Sequence, residues 1–565
     1  MAAIASATVR LWHIFLLIGL CAALYFPYLA STPFFDKGEP REAMAVQDIM
    51  NRGEWLVPLK RATDVPSKPP LFHWSAAAVS TLAGQMNEAT IRFPSALYAT
   101  LGVLLVYFLG GKLFGADTAL LGAAILATTL VYGDQALSAR VDMTLCFYVT
   151  LSLGLFYAIY RGFLRSGVWL YVFYGLVGIS TLAKGPLGIL LPALVCASLV
   201  LLERRWDWLG KFCVHPGVLL MLILGAGWYV IAVSRGGEGF FSRQIVSENL
   251  ARFAGGSGHS HPVYYYVSYL FSLGMPWAVF FPLLFWDYGK RRWFADGDKL
   301  FLGLWFVVIF LFFSISAGKR PVYLLPIYPA LALLLAVWLR QMAGAGTIRR
   351  WLLRLIALNA VLVGAALLLI TLGALWNHDA AWFFEPIGKL LRAKDRANFF
   401  VVRDSLADFG NLFTLVALAS AALWLGLGQA LWRYRLRAAA VLLIVNSILF
   451  GFVAHRIVVP AIAETKSYKP FMAQVNQRVQ SKPLYLFGEF NSDPVLFYRG
   501  QTIPMLRASV AEIAPTLGQG QRYLIMTESA WKEMQKATPA LPAPLFTSSG
   551  TGPEGDARLV LTAAR

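Results

Sequence analysis

Long apolar runs, repeated along the whole chain, constrain its fold more than any other feature. Each run has about 17–23 residues, and a helix of that length crosses a hydrocarbon core of about 30 Å. The sequence therefore predicts an all-α polytopic membrane protein with about thirteen transmembrane helices. The runs lie near residues 11–30, 92–113, 117–133, 142–160, 168–182, 185–202, 216–234, 264–286, 299–316, 321–339, 352–374, 408–430 and 438–456.

The charge content agrees with a bilayer as solvent. Only 14% of the residues are charged and 58% are hydrophobic, whereas soluble domains carry roughly 25% charged residues. The net charge of +19 does not indicate nucleic acid, because basic residues of membrane proteins collect in cytoplasmic loops. We therefore expect membrane lipid as a partner and no nucleic acid.

Basic clusters occupy every second loop and so assign the two membrane faces. The long loops 31–91, 235–263 and 375–407 lie on the opposite, outer face, and loops of that length are often functional. Within the first, Leu71 to Leu82 is too short to cross, so we predict an interfacial helix there. The clusters are Arg161 and Arg165; Arg204, Arg205 and Lys211; Lys290, Arg291 and Arg292; Arg340, Arg349 and Arg350; and Arg433, Arg435 and Arg437.

A change in composition after Pro460 indicates a second domain. Short apolar runs alternate there with possible helices, a pattern typical of a small α/β domain outside the membrane. We predict a transmembrane domain over residues 1–456, which includes the three long outer loops, and an α/β domain outside the membrane over 457–565.

Carboxylates at the outer ends of two helices are candidate catalytic groups. Asp36 and Glu39 open the first outer loop, and Asp142 lies at the outer mouth of a helix. Carboxylates at such a position suit a cationic sugar transition state, and Arg41 is a secondary candidate beside them. The alternatives are a helix N-terminus with favourable acidic residues and a simple surface pair between Arg140 and Asp142.

Basic residues on the outer face run against the usual charge bias, which suggests an anionic ligand such as a phosphate. These residues are Lys68, Arg252 and Lys319 with its neighbour Arg320, and Lys184 as a secondary candidate. Tyr323 lies one helical turn beyond Lys319, within reach of the same ligand, and Tyr328 is a secondary candidate. Lysines that snorkel to the interface and tyrosines that anchor it are the alternatives.

One glycine-rich loop has the residue types of a metal site. Glu248, His259 and His261 surround a run of glycines, and together they form a tentative site for a divalent metal. The spacing is permissive, so no cofactor is certain. The glycines equally suit a loop that reorders over a substrate.

Several separated motifs, in order, resemble the membrane GT-C glycosyltransferases that use polyprenyl phosphate carriers, and among them the lipid A aminoarabinose transferase (ArnT) group. The motifs are Gly38-Glu39-Pro40-Arg41-Glu42-Ala43, Gly53-Glu54-Trp55-Leu56-Val57-Pro58, Ser67-Lys68-Pro69-Pro70-Leu71-Phe72-His73-Trp74, Arg92-Phe93-Pro94-Ser95-Ala96, Asp142, Ala183-Lys184-Gly185, Glu248-Asn249 with Arg252-Phe253, and Gly318-Lys319-Arg320-Pro321-Val322-Tyr323. They extend over almost the whole membrane part of the chain.

The resemblance implies transfer of 4-amino-4-deoxy-L-arabinose from undecaprenyl phosphate to a lipid A phosphate, at the periplasmic face of a bacterial inner membrane. Proteins of this kind raise polymyxin resistance by masking lipid A charge. By position, Glu39 and Asp142 match the acidic sites of the family, and Lys68, Arg252 and Tyr323 match contacts to the carrier phosphate. Relatives often have Asp-Glu where this chain has Gly38-Glu39, so Asp36 is the candidate replacement carboxylate.

Two other functions fit the same residues. A related transferase with another glycan or a protein as acceptor would use the same carrier. A lipid or sugar flippase would also have many helices with ionisable residues, but here the polar groups concentrate in outer loops and no inverted repeat is visible.

Overall fold

The computed structural model describes residues 9–61, 64–240, 242, 244, 261–290, 295–345, 350–377, 381–408, 410–506, 517–537, 543–553, 555 and 557–564. The described part of the chain begins with α-helices, which continue through its membrane part. The first nine are α1 (Leu11–Leu24), α2 (Glu39–Arg52), α3 (Leu71–Leu82), α4 (Glu88–Phe114), α5 (Ala116–Ala127), α6 (Leu130–Ala136), α7 (Val141–Tyr160), α8 (Ser166–Lys184) and α9 (Leu187–Leu202).

The later helices complete the membrane bundle and lead into the C-terminal domain. They are Trp206–Cys213, Gly217–Phe240, Tyr265–Leu273, Phe281–Lys290, Gly297–Ile315, Tyr328–Ala345, Arg350–Asn377, Ala381–Leu390, Ala393–Asp408, Gly410–Trp432, Leu436–Val453, Val459–Lys466, Lys469–Val479, Asp493–Arg499 and Glu528–Ala537. Short 3-10 helices cover Phe26–Tyr28, Trp277–Phe280 and Pro321–Ile327, and a π-helix covers Ala454–Val458.

All thirteen predicted apolar runs are helical, but the number of full spans is smaller than thirteen. In the described part of the chain, ten helices are long and apolar enough to cross a membrane, or up to twelve if each of two bent pairs is one span. The pair α5 and α6 bends by 66°, and Tyr265–Leu273 with Trp277–Gly289 bends by 116°. Pro276 lies in the second break, where its missing N–H cannot continue a helix. The chain is a multi-pass membrane protein.

Helix α9 accounts for the remaining run. It has 16 residues, which is short for a span of about 20 residues. Helix α3 has the predicted bounds Leu71 to Leu82, and neither α3 nor α2 is among the described helices long enough to cross.

The C-terminal domain contains a five-stranded sheet, which agrees with the predicted α/β pattern. Its strands are β1 (Leu484–Phe487), β2 (Met505–Leu506), β3 (Leu517–Thr527), β4 (Phe546–Thr547) and β5 (Leu559–Ala564), in the order β2-β1-β3-β5-β4. Strand β1 is parallel to β2 and β3, whereas β5 is antiparallel to β3 and β4.

The last membrane helix ends later than the sequence predicted. The apolar run stops near residue 456, but the helical path continues from Leu436 to Lys466 through the π-helix. Pro460 does not end it, because this proline lies in the first turn of Val459–Lys466, where its missing N–H costs little.

Candidate active site

A four-residue segment before and within the first turn of α7 joins the outer loop to the membrane helices. The backbone N–H of Ala139 donates to Glu39 Oε1 at 2.9 Å. Arg140 pairs with Asp36, and Asp142 pairs with Lys184. The segment Ala139–Asp142 therefore brings three predicted carboxylates and one predicted cation to the same end of α7.

Glu39 forms a buried ion pair with Arg92 of α4. Arg92 Nε donates to Glu39 Oε1 at 2.7 Å, and Nη2 donates to Oε2 at 2.8 Å. The remaining nitrogen, Nη1, donates to the backbone oxygens of Leu29 and Thr32 at 3.0 and 2.8 Å. Because Glu39 is 5% and Arg92 2% exposed, this pair anchors the N-terminus of α2 to α4.

Asp36 caps the N-terminus of α2 and also reaches Arg140. Its Oδ1 accepts from the backbone N–H groups of Gly38 and Glu39 at 2.9 and 2.8 Å, and its Oδ2 pairs with Arg140. A Cβ atom at Gly38 would lie 2.4 Å from the Arg140 guanidinium carbon. A larger residue at position 38 would therefore displace the guanidinium group, which is the flexible end of the Arg140 side chain.

Lys184 connects Asp142 to Tyr323. The lysine ends α8 and is nearly buried, and its ammonium group pairs with Asp142. The ammonium nitrogen also lies 4.3 Å from the centroid of the Tyr323 ring, in a cation–π contact. Three side chains from three separate elements thus meet at one point.

Asp134 supplies an exposed carboxylate beside this cluster. Its Oδ2 accepts from Gln135 Nε2 at 2.8 Å, and it is close enough to Arg140, Glu39 and Asp36 for their charges to act on it. The cluster thus combines carboxylates and cations, which suits a ligand that carries both a phosphate and a positive group.

The opposite ends of the same helices carry a different set of ion pairs. Tyr157 and Arg161 contact Asp298, and Tyr160 donates to Glu203. These residues lie at the C-terminal end of α7, about 19 residues from Asp142, and a helix of that length spans about 28 Å. The cluster around Ala139–Asp142 is therefore confined to one end of the bundle.

Residues 67–230 match the family model described as dolichyl-phosphate-mannose-protein mannosyltransferase. Similar relatives include an undecaprenyl phosphate-alpha-4-amino-4-deoxy-L-arabinose arabinosyl transferase of Pseudomonas aeruginosa, 29% identical over 73% of this chain and 70% of the relative. A relative of the same name from Pectobacterium atrosepticum is 30% identical over 66% of each chain.

The solved structures agree with this match over nearly the full length. The crystal structure of ArnT from Cupriavidus metallidurans bound to undecaprenyl phosphate superposes with a TM-score of 0.76 over 97% of both chains, at 21% identity. This chain therefore has the fold of that ArnT structure, the GT-C fold.

The alignments to the relatives are partial. The match spans 62% of a protein from Aquifex aeolicus, and 59% and 63% of two arabinosyl transferases from Pseudomonas fluorescens. The chain thus covers about six-tenths of the length of these relatives.

Some predicted residues lie apart from the cluster. The ammonium group of Lys319 donates to the backbone oxygens of His261 and Ser316, and burial lowers the pKa of this lysine. Two of its three N–H donors are therefore occupied. Tyr328 is buried and contacts the Leu270 backbone oxygen at 3.2 Å, in a small apolar pocket with Trp277.

Lys68 lies in the loop between α2 and α3. Its backbone oxygen accepts from Gln244 Nε2 at 3.1 Å. The same loop packs on the outer end of α8, because Val57 and Leu182 share one hydrophobic cluster with Trp228. Lys68 is thus on the same face as Lys184.

Three predicted residues, Glu248, Arg252 and His259, lie outside the described residues. Among the residues that the structure describes, no group of three His, Cys, Asp or Glu side chains is placed to hold a metal. His261 is described, and its ring stacks on Tyr265 with centroids 4.3 Å apart. The divalent-metal site stays a prediction.

Two arginines of the site were not singled out from the sequence. Arg92 belongs to a motif but was given no role, although a charged residue early in an apolar helix indicates a buried partner. From the sequence, Arg140 was considered as a surface partner of Asp142. In the structure Arg140 pairs with Asp36, and Asp142 pairs with Lys184. The alternative of a simple Arg140–Asp142 pair is wrong.

Arg41 belongs to a second buried ionic group, next to the first. It donates to Glu42 Oε1 at 2.8 Å, and Glu42 Oε2 lies 2.9 Å from His73 Nε2. Burial opposes ionisation of Glu42, but the charge of Arg41 and the hydrogen bond and charge of His73 outweigh it. The net effect is a pKa well below the ordinary value of 4.5.

Glu42→Gln is expected to destabilise the protein by about 1–3 kcal/mol at pH 7, because it removes a charged acceptor from a buried hydrogen-bonded group. A carboxyl with a lowered pKa stabilises the fold above its unfolded pKa, and this contribution disappears as the pH falls towards the folded value. The difference between wild type and Glu42→Gln should therefore shrink as the pH falls below 4.5.

Thermal unfolding in detergent at several pH values measures this difference. Glu385→Gln is the matched control, because Glu385 is 51% exposed and pairs only at the surface with Arg403. A gap between wild type and Glu42→Gln that stays constant down to acidic pH would contradict the expected ionisation of Glu42.

Proposed function

We propose that this chain transfers 4-amino-4-deoxy-L-arabinose from undecaprenyl phosphate to a lipid A phosphate, at the periplasmic face of the bacterial inner membrane. One observation carries the proposal: Ala139–Asp142 gathers Asp36, Glu39, Asp142 and Lys184 at one end of the bundle. The names of the relatives and the undecaprenyl phosphate of the similar crystal structure support the choice of sugar and carrier.

The reaction exchanges one bond at the anomeric carbon of the sugar. The bond from that carbon to the carrier phosphate oxygen breaks, and the phosphate leaves with the electron pair. An oxygen of the lipid A phosphate forms the new bond to the same carbon. Because both the leaving group and the acceptor are phosphates, no strong acid or base is needed.

Cations then stabilise the charge that develops on the departing phosphate. Lys184 is placed for this role beside Tyr323, and among the described residues its ammonium group, which has three N–H donors, bonds to Asp142 alone. Lys68, Arg252 and Lys319 are the further candidates. A carrier phosphate bound here would keep its prenyl tail between the apolar helices.

The carboxylates act on the sugar itself. Asp142 and Asp36 would stabilise an oxocarbenium-like centre and pair with the ammonium group of the sugar. Glu39 already accepts three hydrogen bonds, from Arg92 and from Ala139. Its contacts therefore favour a positioning role, in which it holds the loop in place.

A protein acceptor is the second candidate, because the matching family model is described as a protein mannosyltransferase. A hydroxyl acceptor carries a proton, so one carboxylate would then serve as general base. Asp134 and Asp142 are the groups to compare in that case.

Reconstitution with labelled donor separates these candidates. Purified protein in liposomes receives undecaprenyl phosphate that carries radiolabelled aminoarabinose, with lipid A as acceptor and no ion gradient. We expect the label in lipid A, and a mass increase of one aminoarabinose unit in mass spectrometry. Label in added protein would favour the second acceptor, and label that only crosses the bilayer would indicate a flippase and overturn the proposal.

A further inference from the structure

The C-terminal domain packs on the first outer loop through the helix Asp493–Arg499. Buried apolar residues of the two regions form one hydrophobic cluster rather than two separate cores. Its members from the loop region include Phe34, Ala43, Val46 and Phe72, and those from the C-terminal domain include Phe471, Leu496 and Phe497. Removing the domain would therefore expose part of the loop's own core.

Ionic and polar contacts border this cluster. Asp493 is 4% exposed and pairs with Lys60 at 2.8 Å and with Arg61 at 2.7 Å. At the other end of the same short helix, Asn51 Nδ2 donates to the Gly500 backbone oxygen at 2.9 Å. A buried carboxylate that has two cationic partners fixes the helix firmly in one place.

Tyr498 extends from this helix towards the active site. Its hydroxyl accepts from the backbone N–H of Phe34 at 2.8 Å and donates to Glu88 Oε1 at 2.9 Å. Phe34 is two residues before Asp36, and Glu88 is one helical turn before Arg92 on α4. The hydroxyl thus holds both segments that carry the ion pairs of the site.

A second path runs through the side chain of Phe34. The centroids of the Phe34 and Phe497 rings lie 4.9 Å apart. The Arg92 guanidinium carbon lies 5.2 Å from the Phe34 ring centroid. Arg92 in turn holds both carboxylate oxygens of Glu39. Burial and the charge of Glu88 raise the pKa of Tyr498, so its hydroxyl keeps the proton that it donates.

We propose that Tyr498 is a positioning residue through which the C-terminal domain sets the place of Asp36 and Glu39 in the active site. The inference rests on the proposed function, since it assumes that these carboxylates serve a transfer reaction. It gives the C-terminal domain a role in catalysis without contact to the substrate. As far as the described residues show, Lys184 and Tyr323 contact Asp142 and each other rather than this domain, so carrier binding should not depend on Tyr498.

Tyr498→Phe removes the hydroxyl and keeps the ring. We expect kcat to fall about tenfold, because small misplacements of reacting groups have large effects on rate, up to about 100-fold for 1 Å. The KM for the carrier-linked sugar should stay within about twofold of wild type by the same reasoning. Hydrogen exchange of the full-length protein should show faster exchange across residues 34–39, where the Phe34 amide loses its acceptor.

Tyr468→Phe is the matched control. Tyr468 is a buried tyrosine of the same domain, and its hydroxyl donates to the Ala557 backbone oxygen at 2.5 Å, within the C-terminal domain itself. This variant should keep wild-type kcat and wild-type exchange across residues 34–39, even if its melting temperature falls. Equal losses of kcat in both variants would show a general effect of stability and overturn the proposal.

A second variant keeps the test decisive if Tyr498→Phe does not fold. Phe497→Leu keeps an apolar side chain but loses the ring contact to Phe34, and we expect a loss in kcat of about threefold at unchanged KM. Wild-type kcat in every folded variant would overturn the proposal. If the wild-type protein transfers no sugar, the proposed function fails, whereas faster exchange across residues 34–39 in Tyr498→Phe would still show the physical link.

Discussion

Asp142→Asn lowers kcat about 100-fold or more, which is the size of effect seen when one charged or hydrogen-bonding group of an active site is removed. The substitution keeps the shape of the side chain but removes the negative charge beside Lys184. The ammonium group then lies nearly buried against Tyr323 without its carboxylate partner. Steady-state transfer of labelled sugar measures the loss, and the KM for the carrier should change less than kcat.

Asp117→Asn is the control for this prediction. Asp117 lies at the start of α5 and forms surface pairs with Arg10 and Arg340 at about half exposure. Its substitution should leave transfer within about twofold of wild type, because exposed ion pairs contribute little. If Asp142 and Lys184 act as a unit, the double variant Asp142→Asn with Lys184→Met should be no worse than the worse single variant. If Asp142→Asn kept more than a third of wild-type kcat, that result would exclude a catalytic role for Asp142.

Arg92→Met destabilises the folded protein by about 3–5 kcal/mol, because it leaves the charge of Glu39 buried without its cation. Two backbone oxygens, of Leu29 and Thr32, lose their donor at the same time. We expect a large drop in melting temperature and in the yield of monodisperse protein. Both are measured by size-exclusion chromatography after heating.

The second substitution Glu39→Gln tests the cause of that loss. In the Arg92→Met background it removes the unpaired charge, so part of the stability should return. Arg10→Met is the control, since Arg10 is 47% exposed and its ion pair with Asp117 lies at the surface. If Arg92→Met and Arg10→Met had the same melting temperature, this result would contradict a structural role for the buried pair of Arg92 and Glu39.

Most of the secondary structure could be predicted from the sequence because it follows local patterns. The apolar runs are all helical, and strand β1 (Leu484–Phe487) is one of the short apolar runs after Pro460. The thirteen apolar runs correspond to ten to twelve full spans and one shorter helix among the described residues, because length and apolarity do not show a bend. Helices α5 and α6 form one apolar run, yet the chain breaks at Thr128 and Thr129, whose hydroxyls donate to backbone oxygens of the preceding turn.

The candidate residues could also be selected from the sequence, but their pairings could not. Charges at helix ends are conspicuous against an apolar background, and this identified Asp36, Glu39, Asp142 and Lys184. Which cation meets which carboxylate depends on the packing of α2, α4, α7 and α8. The pairs Glu39 with Arg92 and Asp142 with Lys184 join residues 53 and 42 positions apart.

By itself, the sequence determined that the chain crosses a membrane many times and that a small α/β domain follows the last membrane helix. These properties depend on hydrophobicity and charge counted along the chain, which the bilayer sorts directly. Only the tertiary structure decided that Ala139–Asp142 joins the carboxylates to Lys184 and that Tyr498 reaches Phe34. Such contacts arise from close packing of distant segments, and no local pattern of residues encodes them.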